Sequence, residues 1–434
     1  MASNNNTSFP KNKIKILLLE GVSESAVQLI QKETFQVECI KGKLGVDELK
    51  EKISTVHAVG IRSSTKLTEE VLAHAKRLLC IGCFCIGTNQ VDLEAAQKRG
   101  IPVFNSPFCN TRSVAELVIA QIISLARCLG EKNKELHAGI WNKVCTSLFH
   151  CVVLLFFKEY TLENTLQSSK NCHEIRGKTL GIIGYGHIGS QLSVLAEAMG
   201  MRVIFYDIIP KLSLGLSRSC SSLEELLQEA DFVTCHVPET PETKNMIGEK
   251  EIGMMKPGSY LLNASRGTVV VIPALAEALR SGHLAGAYVD VYPTEPLEYT
   301  KEWECELRNL PNTILTPHIG GSTEEAQESI GVDVASKIVN FINQGSTIAA
   351  VNFPTLELSY AGPRTHRILN IHQNVPGVLR SINTILSEFN VTRQILGTDG
   401  AVGYLIVEVD REASKVIKKA ISDLPQSIRT RVLF

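Results

Sequence analysis

Short apolar runs alternate with amphipathic stretches along most of this chain, and that alternation sets the expected fold. Ile14-Lys-Ile-Leu-Leu-Leu19, Val37-Glu-Cys-Ile40, Ala58-Val-Gly-Ile61 and Leu78-Leu-Cys-Ile81 read as strands. The intervening stretches Ser23 to Lys32, Val46 to Ile53 and Thr68 to Ala75 place their apolar residues at helical spacing. Strands that alternate with helices imply a parallel sheet covered on both faces, so the first region is expected to be a flavodoxin-like α/β domain. A long apolar helix from Asn110 or Ser113 to Leu129 would carry the chain into a second domain.

The alternation resumes at Lys178. Apolar runs at Thr179 to Ile183, Met201 to Asp207, Phe232 to Val237, Tyr260 to Asn263, Gly286 to Val291 and Thr313 to Thr316 read as strands of a Rossmann sheet. Helices are expected at Ser222 to Glu229, Lys250 to Met255, Pro273 to Ser281 and Ser322 to Asn343, the last leading back towards the first domain. Beyond Val351-Asn-Phe-Pro354 the order changes. Strands at Arg367 to Ile371, Val402 to Val409 and Arg429 to Leu433, with helices at Gly377 to Phe389 and Ala413 to Leu424, fit a βαββαβ ferredoxin-like module. The expected boundaries are 14–109 plus 321–362 for the substrate domain, 110–320 for the nucleotide domain and 363–434 for the terminal module.

One stretch breaks the pattern. Cys145 to Ser168 includes Leu148-Phe-His-Cys-Val-Val-Leu-Leu-Phe-Phe157, strongly apolar where a polar connection is expected, and too short to span a bilayer. Met1 to Lys13 is polar and Asn-rich and reads as a disordered tail. The 44 Lys and Arg balance 45 Asp and Glu, so there is no basic face to draw nucleic acid or an anionic membrane. Twelve scattered cysteines without a secretory segment imply reduced thiols in the cytoplasm. Cys80, Cys83 and Cys85 have no second Cys or His pair at zinc spacing, so they read as small buried thiols and no metal is expected.

The chemistry gathers at the ends of strands. Gly184-Tyr-Gly-His-Ile-Gly189 follows the Thr179 strand, opens a helix, and has Asp207 closing the next strand 18 positions after its last glycine. This is the dinucleotide fingerprint. Gly184 permits the tight turn, Gly186 admits a pyrophosphate and Gly189 lets the helix approach the strand. Asp207 would bind the adenosine ribose and repel a 2′-phosphate, which selects NAD. Arg266, Glu295 and His318 stand just beyond three later strands. They suit hydride transfer from a 2-hydroxy acid: a guanidinium fork for the carboxylate, an imidazole for the hydroxyl proton, and a carboxylate to orient that imidazole. Arg62, at a strand end of the first domain, is a candidate for a phosphate or carboxylate.

With these residues in place the chain resembles the D-2-hydroxyacid dehydrogenases. The resemblance runs from about Ile14 to Phe434 and rests on Ile81-Gly-Cys-Phe-Cys-Ile-Gly-Thr-Asn-Gln-Val-Asp92, the glycine fingerprint, Asn263-Ala-Ser-Arg-Gly-Thr268 and Thr316-Pro-His-Ile-Gly-Gly-Ser-Thr323. It implies that Arg266, Glu295 and His318 are catalytic. It also implies that Gly184, Gly186, His187, Ile188, Gly189, Asp207, His236, Pro238, Ala264 and Asp290 bind NAD, and that Arg62, Ser63, Asn110 and Arg266 bind substrate. The most similar members oxidise 3-phosphoglycerate to 3-phosphohydroxypyruvate on the route to serine. Their last 70 or so residues form an ACT domain, to which Ile371-His-Gln-Asn-Val-Pro-Gly-Val-Leu379 is similar. By that likeness His372, Asn374 and Asn390 would hold L-serine as a feedback effector, Gly377 would free amides for its carboxylate, and the chain would be a homotetramer built through its Rossmann and ACT contacts. Other readings are another 2-hydroxyacid dehydrogenase, such as a hydroxypyruvate reductase, an ACT domain that serves assembly alone, or a non-catalytic NAD-sensing corepressor.

Two departures from the family pattern stand out. Val271 occupies a place where the family commonly has an aspartate at a helix entry, and Cys145 to Ser168 is an insertion. Without it, Val144 would join Ser169 as relatives read, and Trp141 and Lys143 match a segment that in some relatives reaches a neighbouring subunit's active site. The insertion is expected to impair packing or assembly.

Overall fold

A computed structural model describes residues 9–141, 172–296, 300–359 and 365–434. The insertion at 145–168, Lys143 and residues 1–8 lie outside these. Lys11–Lys13 form a single 3-10 turn, and the Phe9 ring sits 5.6 Å from that of His57, so ordered structure begins earlier than the polar composition implies.

The chain divides into two compact units, residues 1–109 with 324–434, and residues 110–323. In the first, strands β1 (Lys15–Leu18), β2 (Gln36–Cys39), β3 (Ala58–Ile61), β4 (Cys80–Cys83) and β5 (Val103–Phe104) form a parallel sheet in the order β2-β1-β3-β4-β5. β4 begins two residues later than its apolar run suggests, because its pairing with β3 starts at Cys80 opposite Ala58. Gly82 therefore lies inside the strand rather than beyond it. A Cβ there would come within 2.8 Å of Val334 and 2.6 Å of Ile338, so the helix Glu324–Gln344 needs a glycine to pack on this strand. Burial pushes the Cys80 thiol up to about 12 and the Cys85 thiol up to about 11, and that of Cys83 higher still. They are inert packing groups.

The terminal module is antiparallel, with β13 (Thr365–Gln373), β14 (Val391–Asp399), β15 (Val402–Asp410) and β16 (Ser427–Leu433) in the order β14-β15-β13-β16. β14 escapes sequence reading because it is an edge strand with a mixed, half-exposed pattern. Helices Val378–Leu386 and Ser414–Ser422 cover one face through Leu405, Val407 and Val409. The opposite face, through Leu369, Ile371, Tyr404 and Ile406, shares a core with Ile16, Leu18 and Phe104. Residues 365–434 thus form a ferredoxin-like module with its own antiparallel sheet, packed within the first unit. Polar contacts reinforce the join, Arg367 donating to the carbonyl of Gln344 at 2.7 Å and Arg431 to that of Ile342 at 2.9 Å, while within the module Glu408 pairs with Arg367 at 2.6 Å and Arg393 at 2.6 Å.

The second unit holds seven parallel strands, β6 (Thr179–Ile183), β7 (Arg202–Tyr206), β8 (Arg218–Ser219), β9 (Phe232–Cys235), β10 (Ser259–Asn263), β11 (Leu284–Val289) and β12 (Thr313–Leu315), in the order β12-β11-β10-β9-β6-β7-β8. The order reverses between β6 and β9, the switch point where such sheets bind ligands beyond the strands' C-terminal ends. The helix Thr111–Ala126 packs on the fingerprint helix His187–Ala198. It stops at Ala126 rather than Leu129, because Cys128 takes a left-handed φ of 51° and a second helix, Leu129–His137, follows. Asn110 stands at its N-cap position without a side-chain cap bond, and Ser113 instead bonds Thr323 at 2.8 Å. Val271 likewise heads the helix Ile272–Arg280 without offering it a side-chain acceptor. Among the described residues, no single helix is long and apolar enough to cross a membrane.

Candidate functional site

Because every strand of the seven-stranded sheet runs in one direction, the loops after β6, β7, β9, β10, β11 and β12 all emerge along one edge. The fingerprint glycines do three different things there. Gly184 has φ +91°, and a Cβ on it would stand 2.5 Å from the carbonyl oxygen of His236, where β6 and β9 end side by side. A Cβ on Gly189 would lie 2.3 Å from the Gly184 oxygen, so this glycine sets how closely the helix sits on its strand. A Cβ on Gly186 would meet nothing within 4 Å, leaving open space beside the backbone that caps the helix His187–Ala198.

The first amides of that helix have no intrahelical acceptor, and its dipole favours an anion, so a pyrophosphate fits this open backbone. His187 is exposed and Ile188 half-buried in the first turn. Asp207, just past β7, accepts from the Tyr185 amide at 2.8 Å and the Ile209 amide at 3.0 Å. Its carboxylate is thereby fixed against the glycine turn. Beyond β9, His236 bonds Thr234 through Nε2 at 3.0 Å while Nδ1 is buried without a partner, and burial pushes the imidazole down to about 4. Although the residue as a whole is partly exposed, that sequestered nitrogen keeps the ring neutral. Pro238 and Ala264 border the same edge, exposed and half-buried.

The candidate proton-transfer group lies after β10, β11 and β12. His318 Nδ1 stands 2.8 Å from Glu295 Oε2, and Glu295 Oε1 accepts from the Tyr292 amide at 3.0 Å. The Glu295 hydrogen bond raises the His318 pKa against the opposing effect of burial. Burial works against ionisation of Glu295, yet its bonds to His318 and Tyr292 hold the carboxyl below its ordinary value. Arg266 lies close enough for its charge to bear on both. Its main chain is fixed by the Asn263 side chain, which donates to the Arg266 carbonyl at 3.0 Å. The next residue must be glycine, since a Cβ on Gly267 would fall 1.9 Å from the Tyr292 carbonyl carbon.

Asp290 anchors the histidine loop. Buried at 1 % exposure, its carboxylate accepts from Thr316 Oγ1 at 2.5 Å and from the amides of Ile319 at 2.9 Å and Gly320 at 2.8 Å. The His318 amide donates to the Asp290 carbonyl at 2.7 Å. In this structure Asp290 therefore acts as a backbone clamp for the histidine loop. His318 itself has φ +54°, unusual for a residue with a side chain and tolerated where surrounding bonds over-determine it.

The remaining candidates are placed by their own units. In the first, Arg62 follows β3 and donates to Gln327 Oε1 at 2.6 Å, while Ser63 is exposed. In the second, Asn110 is 7 % exposed and its Oδ1 is buried without a partner. On β13, His372 is buried at 3 %, with Nδ1 2.9 Å from Asn370 Oδ1 and Nε2 against Gly403, where a Cβ would meet it at 2.3 Å. Asn374 and Asn390 are exposed, Asn374 donating to the Gly400 carbonyl at 3.1 Å. Gly377 has φ +94° at the head of the helix Val378–Leu386. Trp141 is 76 % exposed.

Comparison with known proteins gives the same reading from outside. Residues 119–320 match the family described as D-isomer specific 2-hydroxyacid dehydrogenase, NAD binding domain, and residues 368–429 the AHAS small subunit-like ACT domain. The chain is 61 % identical over 428 residues, 99 % of each chain, to D-3-phosphoglycerate dehydrogenase of Dictyostelium discoideum. It is 49 % identical over 432 residues to the Escherichia coli K12 protein of that name, covering 98 % of this chain and 99 % of the other. Among solved structures it is similar to a D-isomer specific 2-hydroxyacid dehydrogenase from Lactobacillus delbrueckii ssp. bulgaricus in its NAD complexed form. That match has a TM-score of 0.61 and 26 % identity over 76 % of this chain and 97 % of the other.

Proposed function

The chain belongs to the D-isomer specific 2-hydroxyacid dehydrogenases, the D-3-phosphoglycerate dehydrogenases among them, and from that membership we propose that it oxidises 3-phospho-D-glycerate to 3-phosphohydroxypyruvate with NAD, the first step of the phosphorylated route to L-serine. The observation that carries the reading is the 2.8 Å pairing of His318 with Glu295 beside Arg266, on loops of one parallel sheet whose fingerprint turn accepts a dinucleotide. NAD, when bound, supplies the acceptor for the hydride leaving C2 of the substrate.

The chain's own residues do the rest. Arg266 would hold the substrate carboxylate with its planar fork. Glu295 engages Nδ1 of His318, which leaves Nε2 as the nitrogen to take the hydroxyl proton as the ketone forms. The imidazolium so produced is stabilised by the same carboxylate. Asp207 and the fingerprint amides would hold the adenosine and pyrophosphate of NAD, with His236, Pro238, Ala264 and Asp290 lining the rest of the cofactor's path. We assign Arg62, Ser63 and Asn110 to the substrate as further polar contacts.

L-serine is proposed as the effector of the terminal module, held by His372, Asn374 and Asn390 with the Gly377 turn taking its carboxylate, in a cytoplasmic homotetramer. Formation of NADH from 3-phosphoglycerate, followed with and without serine, tests both statements. No turnover would refute the reaction, and turnover insensitive to serine would reduce the module to assembly. The same assay, with the oligomer's size, applied to a chain lacking residues 145–168 tests the insertion; values equal to those of the full chain would remove any effect of it.

A further inference from the structure

Tyr292 stands between Asp290 and Glu295 and takes no direct part in the reaction set out above. Its hydroxyl nevertheless reaches two backbone carbonyls, Val289 at 3.0 Å and Thr316 at 3.1 Å. These belong to different loops. Val289 ends β11, which leads to Glu295, and Thr316 follows β12 and leads through Pro317 to His318. The Thr316 carbonyl also accepts the His318 amide at 3.1 Å, so Tyr292 and the strained histidine meet at one oxygen. The Tyr292 amide, at the other end of the residue, holds Glu295 Oε1 at 3.0 Å. One residue is thus bonded to the carboxylate and to the backbone that carries the imidazole.

We propose that Tyr292 is a positioning residue for proton transfer, its hydroxyl tying the ends of β11 and β12 together so that Glu295 and His318 stay at hydrogen-bonding distance. Resting as it does on the assignment of that pair as the proton-transfer group, the idea accounts for why His318 is held at φ +54° from both sides, by Asp290 and by the Thr316 carbonyl that Tyr292 caps. The ring is fixed independently of the hydroxyl. It packs edge-on against Trp303 with centroids 4.7 Å apart, and the backbone at Tyr292 abuts Gly267. Removing the oxygen alone should leave the fold in place and loosen only the tie. The charged groups facing His318 from neighbouring loops of this unit are Glu295, Asp290 and Arg266, none of which the change touches.

Tyr292→Phe in the full chain is the test. The His318 imidazole would be titrated by NMR in histidine-labelled wild type and variant, its signal assigned with His318→Gln, beside the pH profile of NADH formation and thermal unfolding. We expect His318 to titrate at lower pH in Y292F and kcat to fall about three- to tenfold, the consequence of one net hydrogen bond, with the KM for NAD unchanged. An unmoved His318 titration with kcat intact, whether or not the melting temperature falls, would overturn the proposal and leave Tyr292 a packing residue. If the wild type forms no NADH from 3-phosphoglycerate, the substrate assignment fails, and the titration still decides the role of Tyr292.

Discussion

Replacing Glu295 by glutamine keeps the shape of the side chain and removes its charge, which isolates what the carboxylate does to His318. Two unit charges 2.8 Å apart interact by about 1.5 kcal/mol at a water-like dielectric of about 80 and about 6 kcal/mol at about 20. The His318 side chain is 50 % exposed and that of Glu295 34 % exposed, so the solvent-screened end of this range applies. Discounted to about 1–1.5 kcal/mol, the loss corresponds to roughly one pH unit. The direction follows from the chemistry. Glu295 raises the His318 pKa, while burial and Arg266 lower it, so the variant's imidazole should titrate lower. Oxidation requires the neutral imidazole, and its rate falls as pH drops through that pKa. The acid limb of kcat/KM for oxidation in E295Q should therefore move down by about one unit, and the alkaline limb of the reverse reduction, which requires the imidazolium, should move down with it. The plateau rate should fall as well, because orientation is a share of the roughly 10²–10⁴-fold that general base catalysis contributes. Measuring both directions across pH checks this. An acid limb that stays in place or moves up would show that Glu295 does not control the proton acceptor.

Other perturbations separate packing from chemistry. Gly267→Ala drives a methyl into the Tyr292 carbonyl, 1.9 Å away, so the Glu295 loop must move; stability measured by denaturation should fall by about 1–3 kcal/mol or more, with activity lost in the folded fraction. Asp207→Asn removes a carboxylate that accepts the Tyr185 amide of the glycine turn and the Ile209 amide of its own loop, and the KM for NAD should rise about tenfold while discrimination against NADP narrows, as paired steady-state assays would read. Glu408→Gln leaves Arg367 and Arg393 beside an uncharged partner in a buried setting. About 3–5 kcal/mol is typical for breaking such a pair, and with Arg393 29 % exposed the lower end is expected in urea unfolding.

The sequence by itself determined the parts that local rules govern. Hydrophobic alternation located most strands to within two residues, and the helix Val46–Ile53 to its ends, because half-buried elements must repeat at their own period. The glycine turn was legible because its spacing recurs between a strand and the helix it opens, although only Gly189 is crowded by a near neighbour in sequence, Gly184; Gly184 meets the His236 carbonyl from beyond β9, and Gly186 borders open space. Short or edge strands such as β5, β8 and β14 were not legible, since two residues or a mixed face carry no period. Only the tertiary structure decided what depends on distant partners. Gly82 is a glycine because a helix some 250 residues later lies on it, and Gly267 because the backbone after β11 crosses it. The terminal module joins the first unit because both faces of its sheet are apolar, a property that β15 advertises in the consecutive apolar residues 404–407 without saying what covers them. The loop contacts of Asp290 and Tyr292 were hidden for the same reason. Nothing local shows that a carboxylate or a hydroxyl after a strand will bond a neighbouring loop, because the carbonyls and amides concerned come within 3 Å or so of it only on folding.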